Sequence, residues 1–111
     1  MRKLNLSDAF KVSRIIKEAG IKNEVSTLAA KFLDKKNVNL NEAGLEFFLT
    51  LITAAANSKV ENQIYELIAD IKKITPEEAK TLDFDEIKEF ILAVVEINNL
   101  KAFFGYVSKL M

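Results

Sequence analysis

The chain has 111 residues, sixteen Lys/Arg against sixteen Asp/Glu, hydrophobic residues at half of its positions, and neither cysteine nor histidine. That is one domain's worth of chain, with enough apolar residues for a core and too many for disorder. Without Cys and His there is no thiol catalysis, disulfide framework, Cys/His zinc site or triad with His as base, and a cytosolic lifetime is open to the protein.

The charges are segregated although they cancel. Residues 1–36 carry nine Lys/Arg and four Asp/Glu, and residues 37–111 carry seven and twelve. One consequence is a pair of solvated faces that attract within the fold; the other is a dipolar molecule that stacks head to tail on copies of itself or offers its acidic end to a basic partner. Nucleic acid is not the expected partner, because the basic residues are not interleaved with aromatics and the net charge is nil. The start, MRKLNLSDAF, is basic but has no apolar stretch before Asp8, so no secretory signal is expected. The longest apolar run, Phe90 to Val95, is six residues, far short of the ~20 that cross a bilayer, so no membrane partner is expected.

In chain order, Ser7 is the expected N-cap of a first helix over Asp8–Ala19, with Val12, Ile15, Ile16 and Ala19 on one stripe. Gly20 ends it as a left-handed residue. A second helix is expected from Asn23 to Lys35, carrying Val25, Leu28, Ala29, Phe32 and Leu33 at amphipathic spacing, followed by a polar loop over residues 35–39. The third, Asn41–Ala56, has Leu45, Phe47, Phe48, Leu49, Leu51, Ile52 and an alanine triplet at 54–56. Its polar residues are Glu42, Glu46, Thr50 and Thr53, and a helix this apolar is buried on most sides. Ser58 and Glu61 offer a capping box to a fourth helix, whose Val60, Ile64, Leu67, Ile68 and Ile71 share a face.

The next punctuation is the sharpest in the chain. Thr75-Pro76-Glu77-Glu78 joins a capping box to a proline at the first helical position, where its missing N–H costs nothing. A short helical turn over 76–81 follows. Asp83-Phe84-Asp85-Glu86 repeats the box, with Leu82 and Ile87 placed as a hydrophobic staple. The helix from Phe84 to Ile97 is again apolar over most of its circumference. Asn98-Asn99 break it, and a last helix carries Leu100, Phe103, Phe104, Val107 and Leu110. No segment alternates with period two over strand length, and no repeat has a solenoid period. The expected fold is therefore all-α: a compact single-domain bundle of about six helices spanning 1–111, without a sheet. Either the third helix and the Phe84–Ile97 helix form its central layer, or one of them keeps a face for a partner.

No residue set points to catalysis, a cofactor or a metal. The pairs Glu77/Glu78 and Asp83/Asp85/Glu86 lie in first helical turns, where acidic residues favour the positive end of the helix dipole. Asp83-Phe84-Asp85 lacks the glycine and third ligand of a calcium loop. The glycines are isolated, so there is no phosphate loop. The first two helices could imitate a helix-turn-helix, but Lys22, Lys31, Lys35 and Lys36 are not a base-reading set. The ending is the strongest candidate for binding. Phe103, Phe104, Tyr106 and Val107 around Gly105 form either a lid on the core or an amphipathic segment with aromatic anchors.

Three stretches carry a family likeness: LNLSDAFKVSRIIKEAGIK at 4–22, ENQIYELIADIKKITPEEAKTLDFDEIKEFI at 61–91 and FFGYVSKL at 103–110. In order and spacing they resemble the tail assembly chaperones of long, non-contractile-tailed phages and prophages of Gram-positive bacteria. The resemblance implies a helical, non-enzymatic protein of the infected or lysogenic host's cytoplasm, absent from the mature virion. Such proteins bind the tape measure protein, keep it soluble and help tail tube subunits polymerise around it. Many exist in two forms, the longer made by a programmed frameshift; the ending Ser108-Lys109-Leu110-Met111 fits a short form and equally a natural stop. On this reading Phe47, Phe48, Phe103, Phe104, Tyr106 and Val107 are the expected contacts to client or neighbour. The alternatives are a helical head-tail connection subunit of the particle and a small DNA-binding regulator.

Overall fold

Capping chemistry sets most helix boundaries. The computed structural model describes residues 2–33, 39–54 and 58–110. They form α1 (Leu6–Ala19), α2 (Lys22–Leu33), α3 (Leu40–Ala54), α4 (Ser58–Lys72), α5 (Pro76–Lys80), α6 (Phe84–Ile97) and α7 (Leu100–Leu110), with no strand among the described residues. The expected all-α bundle is observed, and the short turn after Pro76 counts as a helix of its own. The loop over 35–38, the end of the second helix beyond Leu33, Ala55, Ala56 and Met111 lie outside the described residues. So do the side chains of Phe32, Leu33, Ala54 and Ser58, and with Ser58 its capping box.

Both later boxes form as the sequence predicts. The Thr75 hydroxyl accepts from the Glu78 N–H at 3.1 Å and the Glu78 carboxylate accepts from the Thr75 N–H at 3.2 Å. Asp83 accepts from the Glu86 N–H at 2.8 Å, with the reciprocal bond at 3.4 Å. Gly20 takes φ +71° and donates to the carbonyls of Ile16 and Lys17, and the Ile21 N–H reaches Ile16 O at 3.2 Å. That pattern closes a helix because a residue without Cβ adopts the left-handed region freely. The same closure ends α4 without a glycine. Lys73 takes φ 63° and the Ile74 N–H donates to Ala69 O at 2.9 Å.

The start of α1 is a correction. Its N-cap is Asn5, not Ser7: Asn5 accepts from the Asp8 N–H at 3.1 Å and Asp8 accepts from the Asn5 N–H at 2.8 Å. The box here uses Asp at its fourth position instead of Glu or Gln, so the helix begins two residues before the expected Asp8.

One apolar cluster runs through the bundle. Ile15 and Ile16 of α1, Leu51 of α3, Ile71 of α4, Ile91 of α6 and Leu100 of α7 are among its most enclosed side chains. The two helices expected to be apolar nearly all round, α3 and α6, pack on each other, while α1 lies against α2, α3, α4 and α7. Gly44 sets how close α3 comes to its neighbours. A Cβ there would overlap Val95 Cγ2 of α6 and lie 3.2 Å from Leu100 Cδ1 of α7. Aromatic contacts knit the same helices: Phe47 lies 4.7 Å from Phe104, meets Phe48 edge-on at 5.8 Å, and Phe48 meets Phe90 at 6.1 Å between ring centroids. The radius of gyration, 13.0 Å, is that of a folded domain of this length.

Candidate interaction surface

The segment before α1 is a strap held at both ends by polar contacts. Arg2 grips the Asp8 carboxylate with both guanidinium nitrogens, at 2.6 and 2.7 Å, and also meets Asp70 of α4 at 2.5 Å. Its backbone N–H donates to Ile71 O at 3.3 Å, and two residues on the Leu4 N–H donates to the Asn98 side chain at 2.8 Å. Asn98 in turn donates to Val94 O. The strap therefore ties α1 to α4 and to the α6–α7 corner. Asp8 is fully buried, which is tolerable because a bidentate guanidinium and the Asn5 backbone N–H compensate its carboxylate's lost hydration. Asp8 and then Asp70 push the Arg2 guanidinium above its ordinary range. Lys11, 3.1 Å away, and then Arg2 hold the Asp70 carboxyl below its own. Elsewhere on α4, the hydrogen bond from Tyr65 to Glu61 raises the phenol. Among the described residues no buried side-chain nitrogen or oxygen lacks a partner.

Beside the strap opens an apolar groove of about 440 Å³, lined by Leu4, Asn5, Leu6 and Ala9 on one side and Asn98, Asn99, Ala102, Phe103 and Tyr106 on the other. Two local sequence choices build it. Asn5 and Asn99 are consumed as caps, Asn99 accepting from the Ala102 N–H at 3.1 Å, so the polar atoms at the groove's end face their own backbones. Ala9 and Ala102 are too small to fill the space between α1 and α7. Leu6 and Tyr106 are left 59% and 58% exposed. A second, polar cleft between α1 and α4 is lined by Lys11, Arg14, Ile15, Glu18, Gln63 and Glu66, and Gln63 donates to Glu18 across it.

The structure separates the six expected contact residues. Phe47, Phe48, Phe103, Phe104 and Val107 are buried in the core, and only Tyr106 is exposed. The C-terminal aromatics are thus the lid on the bundle, with Tyr106 at its outer edge. The other exposed large apolar residues are Leu49 beside Phe48, Leu6 and Phe10 on α1, Ile97 at the end of α6, and Phe84 at its first position, 93% exposed. Periodicity could have found Leu49. With Glu42, Glu46, Thr50 and Thr53 on the outer face and Phe47, Phe48 and Leu51 inward, Leu45, Leu49 and Ile52 form a ridge at the boundary (steps of four and three residues). Leu45 and Ile52 on that ridge are half-buried and Leu49 is exposed.

Among the described residues no group of three acidic side chains is placed to hold a metal ion. The acidic clusters sit in capping boxes, as their positions in the sequence require. No single helix among them is long and apolar enough to cross a membrane; α6 and α7 reach the length only together, bent by 96°, and both line the core. No protein-family model, curated protein or solved structure matches the chain.

Proposed function

We propose that this protein is a non-enzymatic chaperone of phage tail assembly that holds the tape measure protein in the host cytoplasm and assists assembly of the tail tube. The observation that carries the reading is the α3 ridge. Leu45, Leu49 and Ile52 extend the apolar surface of a helix whose opposite side is already in the core, so the ridge is held rigidly by the packing behind it. A client helix presents its own apolar residues at i, i+3, i+4 and i+7, and a rigid ridge of matching period offers them a partner in water. The protein spends its chemistry on helix caps and one buried ion pair, and its open surface on apolar contact, which is the division a holdase needs. The likeness of residues 4–22, 61–91 and 103–110 to tail assembly chaperones supports the choice of client.

The test is affinity capture of the tagged chain from induced lysogens, with Leu49→Asp as the control. Recovery of a very long helical protein together with tail tube protein, lost in the variant, is the expected result. Recovery of portal or head proteins points to a connection subunit instead, and recovery of DNA alone points to a regulator; either overturns the reading.

A further inference from the structure

We propose that the groove between α1 and α7 is the seat for the Phe84 corner of a second copy of this chain, so that copies join head to tail. The inference does not depend on which client the protein holds.

The two surfaces complement each other in shape class and in charge. Phe84 is the most exposed large apolar side chain described, 93% open at the start of α6. Between residues 77 and 89 six carboxylates accompany two lysines, all of them exposed. Lys80 is already engaged by Glu77 at 3.6 Å, so the corner is an aromatic knob in an acidic collar. The groove has the opposite character. Its walls are Leu4, Leu6, Ala9, Ala102 and Phe103, with Tyr106 at the rim. Helix α7 contains no acidic residue and two lysines, Lys101 and Lys109. Lys3 on the strap and Lys101 and Lys109 on α7 are exposed. The only carboxylate within a turn of the lining residues on α1 is Asp8, which is buried and neutralised by Arg2. On the other wall the nearest along the chain is Glu96.

A copy cannot satisfy itself. Phe84 begins α6 and the groove lies at its far end, where Asn98 and Asn99 lead into α7. Fourteen residues of α-helix set the two about 20 Å apart along a rigid rod. Knob and groove on opposite ends of one helix make a heterologous contact: each copy gives one surface and receives on the other, and the series stays open unless its rotation closes it. Basic groove then meets acidic corner at every junction.

Sedimentation velocity over a concentration series tests this on the full chain. Wild type is expected to rise above its 12.5 kDa monomer mass as concentration increases, and less so in 1 M salt, where the screening length falls to about 3 Å. Phe84→Ser removes the knob from a fully exposed site and is expected to weaken association on the order of tenfold to a hundredfold. Ala102→Glu blocks the groove from an exposed position in the first turn of α7, where an acid suits the helix dipole. Each variant alone should stay monomeric with wild-type helical circular dichroism. Mixed, they retain one intact groove and one intact knob and should form a one-to-one dimer that grows no further. A wild type that stays at monomer mass throughout overturns the proposal and leaves the groove to another acidic partner. So does a Phe84→Ser variant that associates like wild type, or a mixture that forms no dimer.

Discussion

The two flanks of α1 solve opposite problems. On one, a carboxylate lies wholly out of water, and everything around it is arranged to make that tolerable: Arg2 in two-pronged contact, the Asn5 N–H beneath, and Asp70 and Lys11 completing the network. On the other, a turn away, Leu6 and Tyr106 stand in water around a groove that no described side chain fills. The first flank is internally complete, while the second is left open. Folding alone accounts for the strap, because each polar group there has its partner. It does not account for the groove, because apolar surface left open lowers no folding free energy.

The comparison is broken most severely at Arg2. Replacing Arg2 with Ala strips the bidentate partner from a fully buried Asp8 and frees the strap from α4. Removing one member of a buried pair costs more than the pair contributes, and about 3 kcal/mol is expected here, because Arg2 is partly exposed and water can enter. Urea unfolding followed by far-ultraviolet circular dichroism measures it. A loss below about 1 kcal/mol would mean that the strap does not hold α1 in solution.

A second break lies in the core behind the α3 ridge. Gly44→Ala places a methyl against Val95 Cγ2 and Leu100 Cδ1. The better helix propensity of Ala returns about 1 kcal/mol, and overpacking takes 1–3, so a net loss of about 1 kcal/mol is expected in the same unfolding assay. Gly105→Ala is its mirror. No atom outside the helix lies within 4 Å of the new methyl, so only propensity acts and a gain of up to about 1 kcal/mol is expected. The two glycines look alike in sequence, each isolated inside a helical pattern, and are opposite in space. If both substitutions shifted the midpoint in the same direction, the close approach of α3 to α6 would be wrong.

That pair shows where the sequence stops being legible. Periodicity and capping residues act within a turn or two, and they placed the α6 boundaries, the Thr75 and Asp83 boxes and the Gly20 stop. The start of α1 differs from the sequence expectation because Asn5 and Asp8 form a box with an unusual fourth residue, stabilised by Arg2 from outside the helix. Lys73 gave no signal, because a lysine in the left-handed region is held there by the closure it completes rather than by its own preference. That the chain carries more apolar helix face than a core of this size takes in is legible in sequence; which side chains stay open is not. Aromatic residues drew attention to Phe103 and Phe104, but aromatic content says only that a side chain is large, and packing decides on which side of the helix it spends that size. Phe84 reads in sequence only as a helix-start residue between two acids, although its exposure follows from that position at the open end of α6.

The smallest expected effect is the most informative about the groove. The double variant Leu6→Ser, Tyr106→Ser removes two large apolar side chains, and by residue type alone that is a serious loss. Both are more than half exposed, so most of their area is in water in the folded and the unfolded chain alike, and its removal changes the folding free energy little. A shift within about 0.5 kcal/mol is expected, in contrast to the several-fold larger effect of Arg2→Ala one turn away. Run at a concentration where wild type self-associates, the same comparison separates the two roles of the surface. Wild-type stability should then rise with concentration, because a partner that binds only the folded state stabilises it by mass action, and the double variant should stay flat. A double variant that unfolds several kcal/mol more easily at high dilution would show instead that Leu6 and Tyr106 belong to the core, and that the groove closes on itself in solution.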